Sequence, residues 1–347
     1  MYDFITIGSA TVDAFVECDD ADIVSVSTKT MKTEFMAYPY GAKLEIDSFN
    51  TAVGGGGLNA AANLANLGFN TSAIFKIGED FQGKSIMKRV KDANVNTDNV
   101  IISKDETSGF SIILLSFQGN RTVLAHRGTN GTIKDEEINY DAIKNAKWLY
   151  VAPLNGNSGA VLDKIAQFAE ENDTNIIINP GSSSLKKGLK YFEKILATAE
   201  VVLMNKEEAS LVTQIEVRPD TKEEHFSKET IHPDVKSMLD KLKSMGAKIV
   251  IITDGKHGVY ANDGHNYYRC PEFPAKVIST LGAGDAFSST FVGALEHTNW
   301  DIEKSLKIAS VNAASVVSNF GAQEGFLTFD SIEQKLTDNP EFKVTIL

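Results

Sequence analysis

The residues best placed to do chemistry lie in Ser279-Thr280-Leu281-Gly282-Ala283-Gly284-Asp285, which runs into an apolar helical pattern reaching Leu295. Gly282, Ala283 and Gly284 are too small to cover the backbone N–H groups that open such a helix, and the helix dipole adds partial positive charge at the same place. The stretch reads as an anion site. Asp285 has two readings: an ordinary first-turn carboxylate that favours the dipole, or a general base beside a reacting phosphoryl group.

Four other segments set polar residues or glycines at turns. The strand Phe4 to Ile7 ends in Gly8-Ser9-Ala10-Thr11-Val12-Asp13. Open α/β sheets bind ligands at such ends, so Asp13 is a candidate substrate contact; the alternative is a turn-forming Asp. Val53-Gly54-Gly55-Gly56-Gly57-Leu58-Asn59 opens a helix whose apolar stripe is Ala60, Leu64 and Leu67. Asn205-Lys206-Glu207-Glu208 follows the apolar run Val201 to Met204 with the spacing of a capping box. Thr253-Asp254-Gly255-Lys256-His257-Gly258 is a turn after the strand Lys248 to Ile252.

Four of these segments, in this order, resemble the motifs of the ribokinase-like (PfkB) carbohydrate kinase family. Its G-G-x-x-x-N motif is matched by Gly54, Gly55 and Asn59, its N-x-x-E motif by Asn205 and Glu208, and its T-x-G-x-x-G turn by Thr253, Gly255 and Gly258. The signature D-T-x-G-A-G-D is matched by Thr280, Gly282, Ala283, Gly284 and Asp285, with Ser279 in place of the leading Asp. The resemblance runs from about residue 3 to residue 335. It implies a single α/β domain over 1–347, with a doubly wound, mostly parallel sheet flanked by helices and a small β-sheet lid from about 14–50 and 108–127.

The resemblance also implies an ATP-dependent phosphotransferase acting on a sugar hydroxyl. Asp285 is then the base, and the N–H groups of Gly282, Ala283 and Gly284 stabilise the phosphoryl oxygens. Asp13, Gly54, Gly55 and Asn59 read the acceptor's hydroxyls, and Thr253, Gly255 and Gly258 lie against the adenine nucleotide. Asn205 and Glu208 order Mg²⁺ through its water shell, since that ion keeps most of its waters. The lid serves some members as a dimer contact, so a homodimer through it is expected. Members activated by K⁺ use the leading Asp of the signature to hold the ion, so with Ser279 monovalent-cation activation is expected to be weak or absent.

The elements that must position these residues follow from periodicity. Trp148 to Ala152, Asn175 to Asn179 and Val201 to Met204 are short apolar runs separated by helical patterns, which specify a mostly parallel sheet. Glu17 to Phe49 alternates weakly around Tyr38-Pro39-Tyr40-Gly41 and is expected to pair with Ser108 to His126, whose hairpin turns at Gln118-Gly119-Asn120. Arg127 and Asn130 after that hairpin are candidate acceptor contacts, with a solvated loop as the alternative for Arg127. Residues 217–233, with His225 and His232, read as an exposed excursion before a helix Val235 to Met245. A helix Ile302 to Val317 follows the signature, its Ser310 and Asn312 facing either adenine or the core, and a terminal helix begins near residue 328.

Composition narrows the partners. With 347 residues and a net charge of −12, the chain is unsuited to nucleic acid or an anionic membrane surface. Two cysteines without metal spacing, no signal-peptide pattern and no apolar run of about 18 residues point to a cytoplasmic protein. The acceptor is left open: a free sugar such as ribose or fructose first, then a nucleoside walled by Phe35, Met36, Tyr38 or Tyr40, then a phosphosugar held by Arg127 or Lys43. A rival reading is a dinucleotide-binding oxidoreductase, because Gly55-x-Gly57-x-x-Ala60 and Glu79 satisfy the loose fingerprint. Against it, Leu44 to Asn50 is not the apolar strand such a unit needs.

Overall fold

The computed structural model describes residues 1–18, 20–29, 32–116, 121–185, 188–218 and 230–347. Its centre is a nine-stranded sheet. The strand order is Thr345–Ile346, Tyr267–Cys270, Val259–Asn262, Ile249–Thr253, Val201–Asn205, Asn175–Ile178, Ala146–Val151, Tyr2–Ile7 and Thr71–Ile74. The six strands from Ile249–Thr253 to Thr71–Ile74 are parallel, and the other three are antiparallel. The mostly parallel sheet flanked by helices agrees with the expected fold class.

Alternation along the buried strands sends successive side chains to opposite faces. Ile5, Ile7, Leu149, Val151, Val202, Met204, Val250 and Ile252 pack on one face with residues of the helices Leu162–Asn172 and Pro233–Ser244. Phe4, Trp148, Tyr150, Val201, Leu203 and Ile251 pack on the other with the helices Gly56–Asn66, Ala283–His297 and Ile302–Val317. The apolar stretch 71–78 divides at Phe75, its first piece, Thr71–Ile74, joining the large sheet and its second, Lys76–Gly78, pairing with Ile101–Ser103.

A second, four-stranded sheet stands beside the first, ordered Arg121–His126, Gly109–Leu115, Thr11–Glu17 and Ser48–Gly54. Asp13 therefore lies within a strand, not in a turn. Among the described residues, Asp22–Ser27 and Lys32–Ala37 pair only with each other, as an exposed antiparallel pair. The expected turn at 118–120 and His225 lie outside the described residues. His232 caps the helix Pro233–Ser244, its Nδ1 accepting from the Asp234 N–H at 3.1 Å.

Three helices that carry or back the site are tied by buried amides. Asn63 donates to the hydroxyls of Ser289 and Thr290, both at 2.8 Å, and its carbonyl accepts from Asn312 at 2.9 Å. Asn312 also donates to Thr290 at 2.7 Å and accepts from the Leu327 N–H at 2.9 Å, so it belongs to the core and does not face a nucleotide. Buried polar groups left without partners are costly. Asn63→Ala is expected to destabilise the fold by about 3 kcal/mol, read as a lower urea midpoint at unchanged slope.

Candidate active site

The helix Ala283–His297 starts from Gly282, which is left-handed with φ 77°. A Cβ on Gly282 would lie 2.6 Å from the Ala322 carbonyl oxygen, so only glycine fits both the backbone angle and the packing. Nothing lies within 4 Å of where a Cβ of Gly284 would be. First-turn N–H groups have no intrahelical partner, and here the Ala283 N–H reaches only the Thr280 carbonyl at 3.4 Å, so the open side of this turn suits an anion. Ser279 turns its hydroxyl inward to accept from the Leu281 N–H at 3.2 Å.

Asp285 sits in the first turn, and its Oδ2 accepts from Asn59 Nδ2 at 2.8 Å. Its Oδ1 faces Gly56, 3.4 Å from where a Cβ would be. Burial pushes the Asp285 carboxyl above its usual range; the Asn59 hydrogen bond opposes that, and the nearby Glu208 carboxylate adds to it. Asp13 is also raised by burial, against hydrogen bonds from Ser111 and Thr11. Gly54 separates the two groups: a Cβ there would meet Asp13 Oδ2 at 2.8 Å and Asn59 Oδ1 at 3.8 Å.

The glycine run before Asn59 is occupied by Ser9. Gly57 and Leu58 donate their N–H groups to the Ser9 carbonyl at 3.1 and 3.2 Å, and Gly56 donates to the Ser9 hydroxyl at 3.1 Å. Gly55, at φ 100°, lets this contact form, since a Cβ would meet the Ser9 oxygen at 2.6 Å. A dinucleotide fold needs those N–H groups for a pyrophosphate and a parallel strand ahead of them. Here the preceding strand is antiparallel in the small sheet, so the oxidoreductase reading fails.

On the other side of the Gly282 turn lies a cavity of about 410 Å³. Thr253, Gly255 and Gly258 line it, with Val259, Phe273, Ala275, Val277, Phe287, Ala313 and Val317 supplying an apolar wall, and Thr280, Ala283 and Gly284 closing one end. Ser310 lines it too, paired with Cys270 Sγ at 3.2 Å. The slot suits a flat apolar ring with an anionic tail. Asn205 and Glu208 form a reciprocal capping box, with Asn205 Oδ1 accepting from the Glu208 N–H at 2.8 Å and Glu208 Oε2 from the Asn205 N–H at 3.1 Å. Glu208 Oε1 accepts from Ser182 at 2.9 Å.

A family model described as pfkB family carbohydrate kinase matches residues 20–328. The chain belongs to that family. This pfkB kinase is 28% identical over 291 residues to the ribokinase of Bacillus subtilis, covering 84% of this chain and 89% of that one. It is 28% identical over 352 residues to the bifunctional ribokinase/ribose-5-phosphate isomerase A of Fructilactobacillus sanfranciscensis; the match takes in all of this chain but 58% of that longer protein. Among solved structures, the ribokinase of Arabidopsis thaliana complexed with ribose and ATP superposes with a TM-score of 0.77 at 20% identity, over 96% of this chain and 98% of that one. The likeness is one of fold.

The structure brings Asp285, Asn59, Gly54 and Asp13 together, and sets Thr253, Gly255 and Gly258 around the cavity next to the turn of Gly282, Ala283 and Gly284. Asn130 is not free for an acceptor: its amide clamps the Ala10 backbone, accepting from the N–H and donating to the carbonyl, each at 2.9 Å. Arg121, unnoticed in the sequence beside Arg127, reaches Thr280 Oγ1 at 3.3 Å from the small sheet. Gln323 and Gly56 were also missed. The one available signal for the cation was the need of a chain of net charge −12 for local positive potential at an anion site.

A carboxyl whose folded pKa lies above its usual 3.8 contributes stability that is complete below that value and lost as pH rises through the folded pKa. Ionised Asp285 therefore opposes folding at neutral pH. Asp285→Asn is expected to melt at or above the wild-type temperature at pH 7, with the difference shrinking as pH falls to 4, in thermal scans at both pH values.

Proposed function

We propose that this kinase transfers the γ-phosphoryl group of Mg·ATP to a hydroxyl, a hydroxymethyl one, of a free sugar such as ribose or fructose. The observation that carries the reading is the position of Asp285. Its Oδ2 is held by Asn59, which shares Gly54 with the acceptor cluster of Asp13, Thr11 and Ser111, and it stands in the helix turn whose Ala283 and Gly284 line the apolar cavity.

In this reading the adenine occupies the slot beside Gly255 and Gly258, and the triphosphate runs to the N–H groups of the Gly282 turn. Asp285 Oδ1 takes the acceptor's proton as the hydroxyl oxygen attacks the γ-phosphorus and the bond to the β–γ bridging oxygen breaks, releasing ADP. The N–H groups of Gly282, Ala283 and Gly284 stabilise the charge on the transferring oxygens. A raised pKa makes Asp285 the stronger base.

Among the described residues no group of three or more His, Cys, Asp and Glu side chains is placed to hold a metal directly. Asn205 and Glu208 fit an ion held through water: Glu208 is close enough to act on Asp285, and Lys206 beside it is neutralised by Asp254. Mg²⁺ bound there would neutralise phosphate charge. Ser279 offers a K⁺ no charge, and one of its hydroxyl lone pairs accepts from the Leu281 N–H, so monovalent-cation activation is expected to be weak or absent.

The small sheet acts as a lid that excludes water from the transfer, with Arg121 meeting the anion turn on closure. Its exposed Phe49, Val123 and Leu124 support a homodimer through the same sheet. A sugar is favoured over a nucleoside because the groups around Asp13 are polar. Phe35 and Tyr40, the candidate walls for a base, stand exposed on the separate strand pair and beyond it.

The test is ADP release from Mg·ATP with pentoses, hexoses, their phosphates and nucleosides. Turnover is expected with a free sugar and should drop roughly 10²- to 10⁴-fold in Asp285→Asn. Turnover confined to nucleosides or phosphosugars would overturn the acceptor assignment, and an unaffected Asp285→Asn would remove the base. Replacing Na⁺ by K⁺ is expected to leave kcat within a factor of two, about the noise of such assays next to the tenfold that 1.4 kcal/mol represents; a steep K⁺ dependence would contradict the account of Ser279.

A further inference from the structure

Behind the Asn59–Asp285 pair runs a line of hydrogen bonds that leads out of the site. Asn59 Oδ1 accepts from Gln323 Nε2 at 2.9 Å, and Gln323 Oε1 accepts from Arg89 Nε at 2.8 Å. Asn59 and Gln323 are buried, 3% and 5% exposed. Arg89 lies in the helix Phe81–Asp92, and Gln323 in the Gly321-Ala322-Gln323 loop, where Ala322 also abuts Gly282.

The order of donors along this line is dictated from its outer end. A guanidinium has only donors and does not lose its proton. Gln323 must therefore turn its oxygen to Arg89 and its NH₂ to Asn59. Asn59 must then turn its oxygen to Gln323 and its NH₂ to Asp285. Amide orientations are usually matters of assignment, but here a cation at the far end leaves one self-consistent choice.

We propose that Arg89 and Gln323 are positioning residues that lock the Asn59 amide as a donor to Asp285, so that the catalytic carboxylate stays ionised and takes the acceptor's proton on Oδ1. With the lock in place, a protonated Oδ2 would meet an NH₂ group and have nothing to donate to. Without it, Asn59 can rotate and offer its oxygen to the protonated acid. The lock thus favours the anion and removes the hydrogen bond that would favour the acid. Among the described residues, the ionisable groups that act on Asp285 are Glu208 on the helix Lys206–Thr213 and Tyr150 on the strand Ala146–Val151; Asp13 lies beside Asn59 across Gly54. None of them belongs to the line.

This inference rests on the proposed role of Asp285 as base, so the test carries a readout that needs no turnover. The Asp285 carboxyl ¹³C resonance, assigned by its loss in Asp285→Asn, is titrated in wild type and in Gln323→Met, which is neutral and of similar length. Gln323→Met is expected to raise the Asp285 titration midpoint by about one pH unit, the worth of one neutral hydrogen bond. The acid limb of kcat should rise by the same amount, with the KM for ATP unchanged. Arg89→Met on the half-buried helix face should shift both in the same direction, and Arg89→Lys, which keeps a cationic donor, should restore them towards wild type. A folded Gln323→Met or Arg89→Met whose ¹³C midpoint does not move overturns the lock. A midpoint that moves in a protein with no phosphotransfer to any acceptor upholds the lock and removes the kinase role instead.

Discussion

The proposed chemistry turns on one carboxylate, Asp285, that must carry charge where burial works against charge. Asp285 stands at the start of a helix buried along most of its length, and its ionised form is supported by a hydrogen bond from a residue 226 positions earlier in the chain. That bond requires the helices Gly56–Asn66 and Ala283–His297 to hold a fixed register. The buried amides of Asn63 and Asn312 supply it, joining both helices to Ile302–Val317 about one turn below the site. Packing alone would leave helices free to slide by small amounts; directional bonds between buried amides do not.

The glycines divide by task on the same logic. Gly55 and Gly57 bring the helix start against Ser9 and Gly8, which satisfies the N–H groups and fixes where Asn59 points. Gly282 does the opposite: its left-handed turn against Ala322 starts the next helix without a side-chain cap, the Ala283 N–H reaching only the Thr280 carbonyl at 3.4 Å. Two similar runs of small residues thus give one closed helix start and one open one. The difference lies in what stands opposite, a serine carbonyl in one case and the mouth of an apolar cavity in the other.

Much of this was legible in the sequence because it depends on local pattern. The strands Val201–Asn205 and Ile249–Thr253 and the helix Ile302–Val317 follow from uninterrupted periodicity, and the four motifs gave the right family. The sequence was silent where the deciding partner is remote. Nothing near Asp13 marks it as a strand residue, because its strand is set by pairing with Ser48–Gly54 and Gly109–Leu115. Asn130 looked free until Ala10 was placed beside it, and Asn312, readable as facing adenine or the core, proved a core residue once Asn63 and Leu327 claimed both ends of its amide. Gln323 carries no local signal, since a lone glutamine after a helix is ordinary. Its meaning comes from Arg89 and Asn59, both more than 200 positions away.

The measurement that bears most directly on the account is a crystal structure of the protein with MgADP, aluminium fluoride and the sugar that turns over. The account predicts the sugar's reacting hydroxyl within hydrogen-bond reach of Asp285 Oδ1, in line with the aluminium and the ADP oxygen, and fluoride ligands on the N–H groups of the Gly282 turn. A hydroxyl oriented by another residue, with Asp285 turned away or paired only with Asn59, would contradict it.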